Sequence, residues 1–222
     1  MDILLYLIFG FLDLFAVTAI MFSLFRFQLR EYVKEIVFIC GVLSVVSYVN
    51  RAILGIPEYD LAIQFGIYVL FMRYVIRIRL FKSILLSAFG FMSYLLIQFI
   101  IFPLLVRTGF VSLLDAQSLH NLGTYGIQFS TDVVSFGLVW FAYRFRLGFS
   151  SVEHPPHNFS QKEQIKGSDL YIAYVVIMGV LSLCTVVYWL LNSSMYLYFI
   201  LPSLTLTLAA LVHLTYRKEF DI

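Results

Sequence analysis

The stretch S-I-L-L-S-A-F-G-F-M-S-Y-L-L-I-Q-F-I-I-F-P-L-L-V, Ser83 to Val106, contains no charged residue from end to end. A hydrocarbon core of about 30 Å needs roughly 20 residues of helix to cross it. Lipid offers the backbone no hydrogen-bond partner, so an apolar run of that length reads as a transmembrane helix. The same ruler, moved along the chain, marks six more runs: Ile3 to Phe25, Val33 to Asn50, Leu61 to Ile78, Thr124 to Tyr143, Leu170 to Leu191 and Met195 to Tyr216. Composition agrees, with 61% apolar and 13% charged residues and a mean hydropathy of +0.91. Soluble domains carry about twice that share of charge. The fold class expected is all-α, one polytopic bundle of seven transmembrane helices over residues 1–222, with a cytoplasmic loop at 145–169.

Lys and Arg collect in cytoplasmic loops, so their positions predict topology. Of the 15 basic residues, all but Arg51 and Arg107 fall around or after the ends of the first, third, fifth and seventh runs, Arg73 and Arg77 lying within the last part of the third. This places the N-terminus outside, the C-terminus in the cytoplasm and the chain in the cytoplasmic membrane as a multi-pass protein. A net charge of +2, distributed this way, gives nucleic acid no binding face. The first run lacks a preceding basic region and a following small-residue cleavage site, so it is expected to be a retained helix.

An ionisable group deep in a helix costs about 2.5 to 3.5 kcal/mol on insertion scales, which flags each one. Asp13 lies near the middle of the first run, and Asp132 near the middle of the fifth, beside Ser130, Thr131 and Ser135. The two carboxylates could hold a proton or cation, pair with Arg73, or act as polar glue between helices. Arg73 and Arg77 share a helix face, a spacing that suits a phosphate, an acidic partner or simple snorkelling to headgroups. In the second run, Gly41, Ser44, Ser47 and Asn50 form a small, polar stripe for close helix contact. Pro103 and Pro202 fall in the outer halves of the fourth and seventh runs, where kinks could open a ligand cavity toward the outside.

Chemistry beyond this is sparse. His154 and His157 flank two prolines without the spacing or cysteine neighbours of a metal site. Cys40 and Cys184 sit in apolar runs, where a thiol behaves as a small hydrophobe. No intramembrane protease motif is present. Neither enzymatic activity, nor a metal, nor a cofactor is expected.

The segments F-R-F-Q-L-R-E-Y-V-K-E-I (Phe25 to Ile36) and S-Y-V-N-R-A-I-L-G-I-P (Ser47 to Pro57) resemble the start of the membrane sensor region of Gram-positive receptor histidine kinases of the accessory-gene-regulator type. The resemblance covers at most the first four runs. It implies a sensor that binds a small apolar or peptide ligand and signals through another protein; the kink-capable prolines and the seven-span topology place the expected pocket among the last four runs, near Pro103, Pro202 and Asp132. After Arg217 and Lys218 the chain departs from the family, with no dimerisation helix, phosphoacceptor histidine region or ATP-binding domain. The expected partners are the lipid bilayer, a membrane or cytoplasmic protein, and a second copy of the chain. The alternative expectation, from another class, is a small transporter or channel subunit in which Asp13 and Asp132 handle a proton or cation.

Overall fold

A computed structural model describes residues 2–112, 121–149, 174, 176–181 and 197–220. Among them the chain is all-helical, without a strand. The helices are α1 (Asp2–Leu24), α2 (Val33–Tyr48), α3 (Pro57–Tyr74), α4 (Leu80–Arg107), α5 (Leu122–Arg144), α6 (described at Tyr174 and 176–181) and α7 (Leu197–Phe220). A short 3-10 turn, Leu29–Tyr32, leads into α2, and a π-helical turn, Val49–Ile53, extends it. The His154/His157 pair, Cys184 and most of the expected loop and sixth run lie outside the described residues.

Helix ends depart from expectation where capping chemistry was overlooked. The third helix starts at Pro57 rather than Leu61. Proline suits a first helical position because its missing N–H would be unpartnered there anyway. The earlier start brings Glu58 and Asp60 into the helix. Among the described residues three helical stretches are long and apolar enough to cross a membrane: Ile3–Leu24, Leu29–Ile53 and Leu80–Arg107.

The bundle is apolar on its outside and partly polar inside. On α2, Ser44 and Ser47 are buried while Val37, Phe38, Val42 and Val45 are exposed. On α5, Thr131, Asp132 and Ser135 are buried while Phe129, Val133, Leu138 and Trp140 are exposed. Water would not tolerate so continuous an apolar exterior, whereas lipid does.

Contacts fix the helix directions. Tyr6 meets Ser47 and Thr18 meets Cys40, so α2 runs against α1. The Tyr68–Thr18 and Gln128–Asp13 bonds, together with Tyr143 bonding Phe27, set α3 and α5 parallel to α1. Gly90 of α4 faces Val17 and Met21 while Phe89 meets Phe25, so α4 is antiparallel. Between lipid-solvated helices close packing replaces the hydrophobic effect as the main attraction, and small residues permit it. A Cβ on Gly90 would lie 3.1 Å from the Val17 carbonyl oxygen, and one on Gly10 would lie 3.5 Å from Ser44 Cβ.

Where α5 ends, the chain folds under α1. The Phe149 N–H donates to the Leu24 carbonyl at 2.6 Å, and the Phe149 ring packs against Phe25 and Phe89. Gly148 makes this return possible: its φ is +140°, and a Cβ there would lie 2.7 Å from Leu24 O. Gly148→Ala should therefore cost about 1 to 3 kcal/mol, through both backbone strain and the clash. A lowered midpoint of thermal unfolding in detergent checks this; an unchanged midpoint would mean that the α1–α5 junction is not as tight as described.

Candidate functional site

Three levels of polar contact cross the interior, and each ties α1 to its neighbours. At the first, Asp60 of α3 is fully buried and accepts from Ser47 Oγ (2.8 Å), Asn50 Nδ2 (3.1 Å), Arg51 Nε (2.6 Å) and Gln64 Nε2 (2.8 Å). Ser47, Asn50 and Arg51 follow i, i+3, i+4 spacing, which puts them on one helix face. Gln64 is one turn along α3 from Asp60. Arg51 neutralises the carboxylate, and the other three donors satisfy its remaining lone pairs, the conditions under which a buried charge is tolerated. Tyr6 Oη lies 3.0 Å from Ser47 Oγ and brings α1 into the group.

At the second level Tyr94 of α4 stands between two carboxylates. Its hydroxyl is 2.5 Å from Asp13 Oδ1 and 3.1 Å from Asp132 Oδ1. Gln128 Nε2 donates to Asp13 Oδ2 at 2.7 Å. Asp132 is 3% exposed, and its Oδ2 has no partner among the described residues. A phenol carries one hydrogen, so it can donate to only one of the two carboxylates. Both contacts are satisfied together only when one further proton, or another cation, is held in the cluster.

The third level is smaller: Tyr68 Oη donates to Thr18 Oγ1 at 2.7 Å, and Thr18 passes its own hydrogen to the Leu14 carbonyl at 2.8 Å. Cys40 Sγ lies 4.0 Å from Thr18 Oγ1.

Between the first two levels lies a cavity of about 140 Å³. Its polar walls include Tyr6, Asp13, Arg51, Gln64, Tyr94 and Gln128, and Leu14, Leu61, Phe91 and Leu95 are among the apolar ones. A cavity near this size admits a molecule as large as benzene, and one with polar walls suits water or a small solute. Asp132 is not in the lining and sits behind Tyr94. No group of three metal-ligating side chains occurs among the described residues.

No family model, curated protein or solved structure matches the chain.

The structure brings Asp13 and Asp132 together through Tyr94, without Arg73. Arg73 occupies the last turn of α3, at the opposite end of that helix from Asp60. Pro103 and Pro202 are both exposed on the outside of the bundle, away from the cavity. The cavity is formed by α1 to α5, whereas the ligand site had been expected among the last four runs. Reading the sequence missed most of the partners, among them three with identifiable causes. Asp60 counted as loop because the third run was begun at Leu61, four residues after the helix starts at Pro57, although the D-x-x-x-Q spacing to Gln64 was visible. Arg51 was taken for a stray outer charge, and Tyr94 was one among 15 tyrosines.

Removing one partner of a fully buried ion pair costs about 3 to 5 kcal/mol, mostly from the charge left behind. The Arg51 side chain is 37% exposed, so Arg51→Met should cost less, about 2 kcal/mol. Adding Asp60→Asn to it should recover most of that loss. Denaturation of the single and double variants measures the difference, and a double variant no better than Arg51→Met would show that the pair is not coupled.

Proposed function

We propose that this chain is a multi-pass protein of the cytoplasmic membrane that takes a proton or small cation at Asp13, Tyr94 and Asp132, as a small transporter or channel subunit. The observation that carries this reading is the hydrogen count: a half-buried carboxylate, Asp13, and a buried one, Asp132, share one phenol hydrogen. A cluster that must take up a proton or cation to satisfy its contacts can also release it when those contacts change. The polar cavity beside Asp13 supplies a route by which that particle reaches the cluster.

The remaining architecture supports a chain that crosses the membrane repeatedly. The polar residues that make α3 and α5 less apolar than α1 and α4 include Asp60 and Gln64 on α3 and Asp132 on α5, all buried rather than facing lipid. The ends of α1, α3 and α5 lie together and carry the basic flanks, which by the positive-inside tendency favours that end as cytoplasmic. On this reading the cavity belongs to the outer half. A sensor resembling the receptor kinases would place its ligand among the last four helices near Pro103, Pro202 and Asp132; of these only Asp132 lies at the cluster, and the cavity beside it is lined from α1 to α5, which favours ion handling.

The test is flux of protons and monovalent cations into proteoliposomes. Wild-type protein should exceed empty vesicles. Asp13→Asn and Asp132→Asn should each bring flux down to the empty-vesicle level while the protein still elutes as a folded species. Tyr94→Phe, which removes the shared hydrogen but keeps the ring, should lower flux as well. Wild-type flux no greater than that of empty vesicles would falsify the proposal.

A further inference from the structure

The helices α1, α3 and α5 all end in the same unusual way. Each is followed by an arginine in the left-handed region, Arg26 at φ 55°, Arg77 at 61° and Arg146 at 53°. The chain then bonds back to the helix: the Phe27 N–H to Phe22 O at 2.8 Å, Ile78 to Met72 O at 3.0 Å and Leu147 to Ala142 O at 2.9 Å. The position is one that glycine normally fills, because a side chain there is strained. The three segments read Phe25-Arg26-Phe27, Ile76-Arg77-Ile78 and Phe145-Arg146-Leu147. In the first two the apolar neighbours are buried and the arginine is exposed between them.

None of the three guanidinium groups forms a hydrogen bond or ion pair among the described residues. Since α1, α3 and α5 are parallel, all three project from one end of the bundle. Glu31 and Glu35 are the only carboxylates in 24–36, 73–82 and 143–149, against nine basic residues. The stem of Arg26 also runs beside Gly148, where a Cβ would meet Arg26 Cγ at 3.1 Å, so the α1 and α5 arginines belong to one junction. Helix C-termini attract cations in any case. That attraction does not require a guanidinium in a strained position, since the flanking Arg144 could supply it with ordinary backbone.

We propose that Arg26, Arg77 and Arg146 form a collar that binds the phosphate groups of anionic lipid headgroups in the leaflet at this end of the bundle. The planar guanidinium presents paired donors that match phosphate oxygens, which a lysine ammonium does not. The left-handed turn sends the arginine outward at the helix end, while its neighbours return to the core. The apolar exterior of the bundle already places lipid alongside, so the ligand is at hand. This inference is independent of the cavity and of ion handling.

The experiment uses the full chain in nanodiscs of phosphatidylcholine alone or of equal parts phosphatidylcholine and phosphatidylglycerol, followed by thermal unfolding. Phosphatidylglycerol should raise the wild-type midpoint by several degrees. The triple variant Arg26→Gly, Arg77→Gly, Arg146→Gly should lose that shift and keep its midpoint in phosphatidylcholine, because glycine adopts the same backbone without strain. The corresponding triple lysine variant should keep only part of the shift. Inorganic phosphate added to phosphatidylcholine discs should give none. A phosphatidylglycerol shift surviving in the triple glycine variant would overturn the proposal, and so would an equal shift from inorganic phosphate, which would mark a soluble-anion site. Should the triple variant not fold, the three single glycine variants decide: each should lose part of the shift, and full shifts in all three would overturn it.

Discussion

A carboxylate among apolar helices must find its donors inside the bundle, and Asp60 shows what that demand does to a fold. It holds Ser47, Asn50 and Arg51 from one helix end and Gln64 from its own helix. Apolar helix surfaces can slide past one another at little cost, whereas a hydrogen bond between partners in low dielectric tolerates no shift of a residue. The register of α2 against α3 is therefore set at this point. Helix α1 is tied in the same way, to α2 through Tyr6, to α3 through Thr18, and to α4 and α5 through Asp13. Helices α2, α4 and α5 pack directly on α1, with Gly90 letting α4 approach closely, while α3 and α7 pack against α4.

The three interior aspartates, Asp60 and Asp132 buried and Asp13 half-buried, divide by how completely they are satisfied. Asp60 has four donors and a countercharge, so it has nothing left to accept and its role is architectural. Asp13 has two donors, one of which it shares. Among the described residues Asp132 has a share of that same donor, and its Oδ2 has no partner there. A buried acceptor left unsatisfied costs about 1 to 3 kcal/mol. The incomplete set is where exchange of a proton or cation has a physical basis.

How much of this was legible in the sequence follows from the reach of each argument. The cost of a charge in lipid depends on a single residue and its neighbours in the chain, so Asp13 and Asp132 stood out, and so did the polar stripe on α2 that includes Ser47 and Asn50. Their partners did not stand out, because Tyr94 is 81 residues from Asp13 and 38 from Asp132, and nothing local distinguishes it from other tyrosines in a chain rich in them. Asp60 and Arg51 were hidden by a boundary, since a ruler based on apolar runs stops where the first polar residue begins. Pro57 was the available signal of an earlier start. The left-handed arginines were concealed differently: a basic residue between two apolar ones after a helix looks like an ordinary flank, and backbone φ has no signature when the residue is not glycine or asparagine.

The interior beyond Asp13 limits which kind of ion handling the fold can perform. Next along α1 come Thr18, Met21 and Phe22, all without exposed surface, facing a core that includes Tyr68, Phe89 and Met92, which are equally closed. The hydroxyls of Tyr68 and Thr18 are the only polar side-chain groups in that named set, and close-packed side chains do not part without a change in helix packing. A hydrated cation passing between these six residues would require the helices to move apart. A particle bound at Asp13 leaves either by the way it entered or after the helices have moved, and α4, which carries both Tyr94 and Gly90, is the helix whose shift would alter the carboxylate contacts and the seal together.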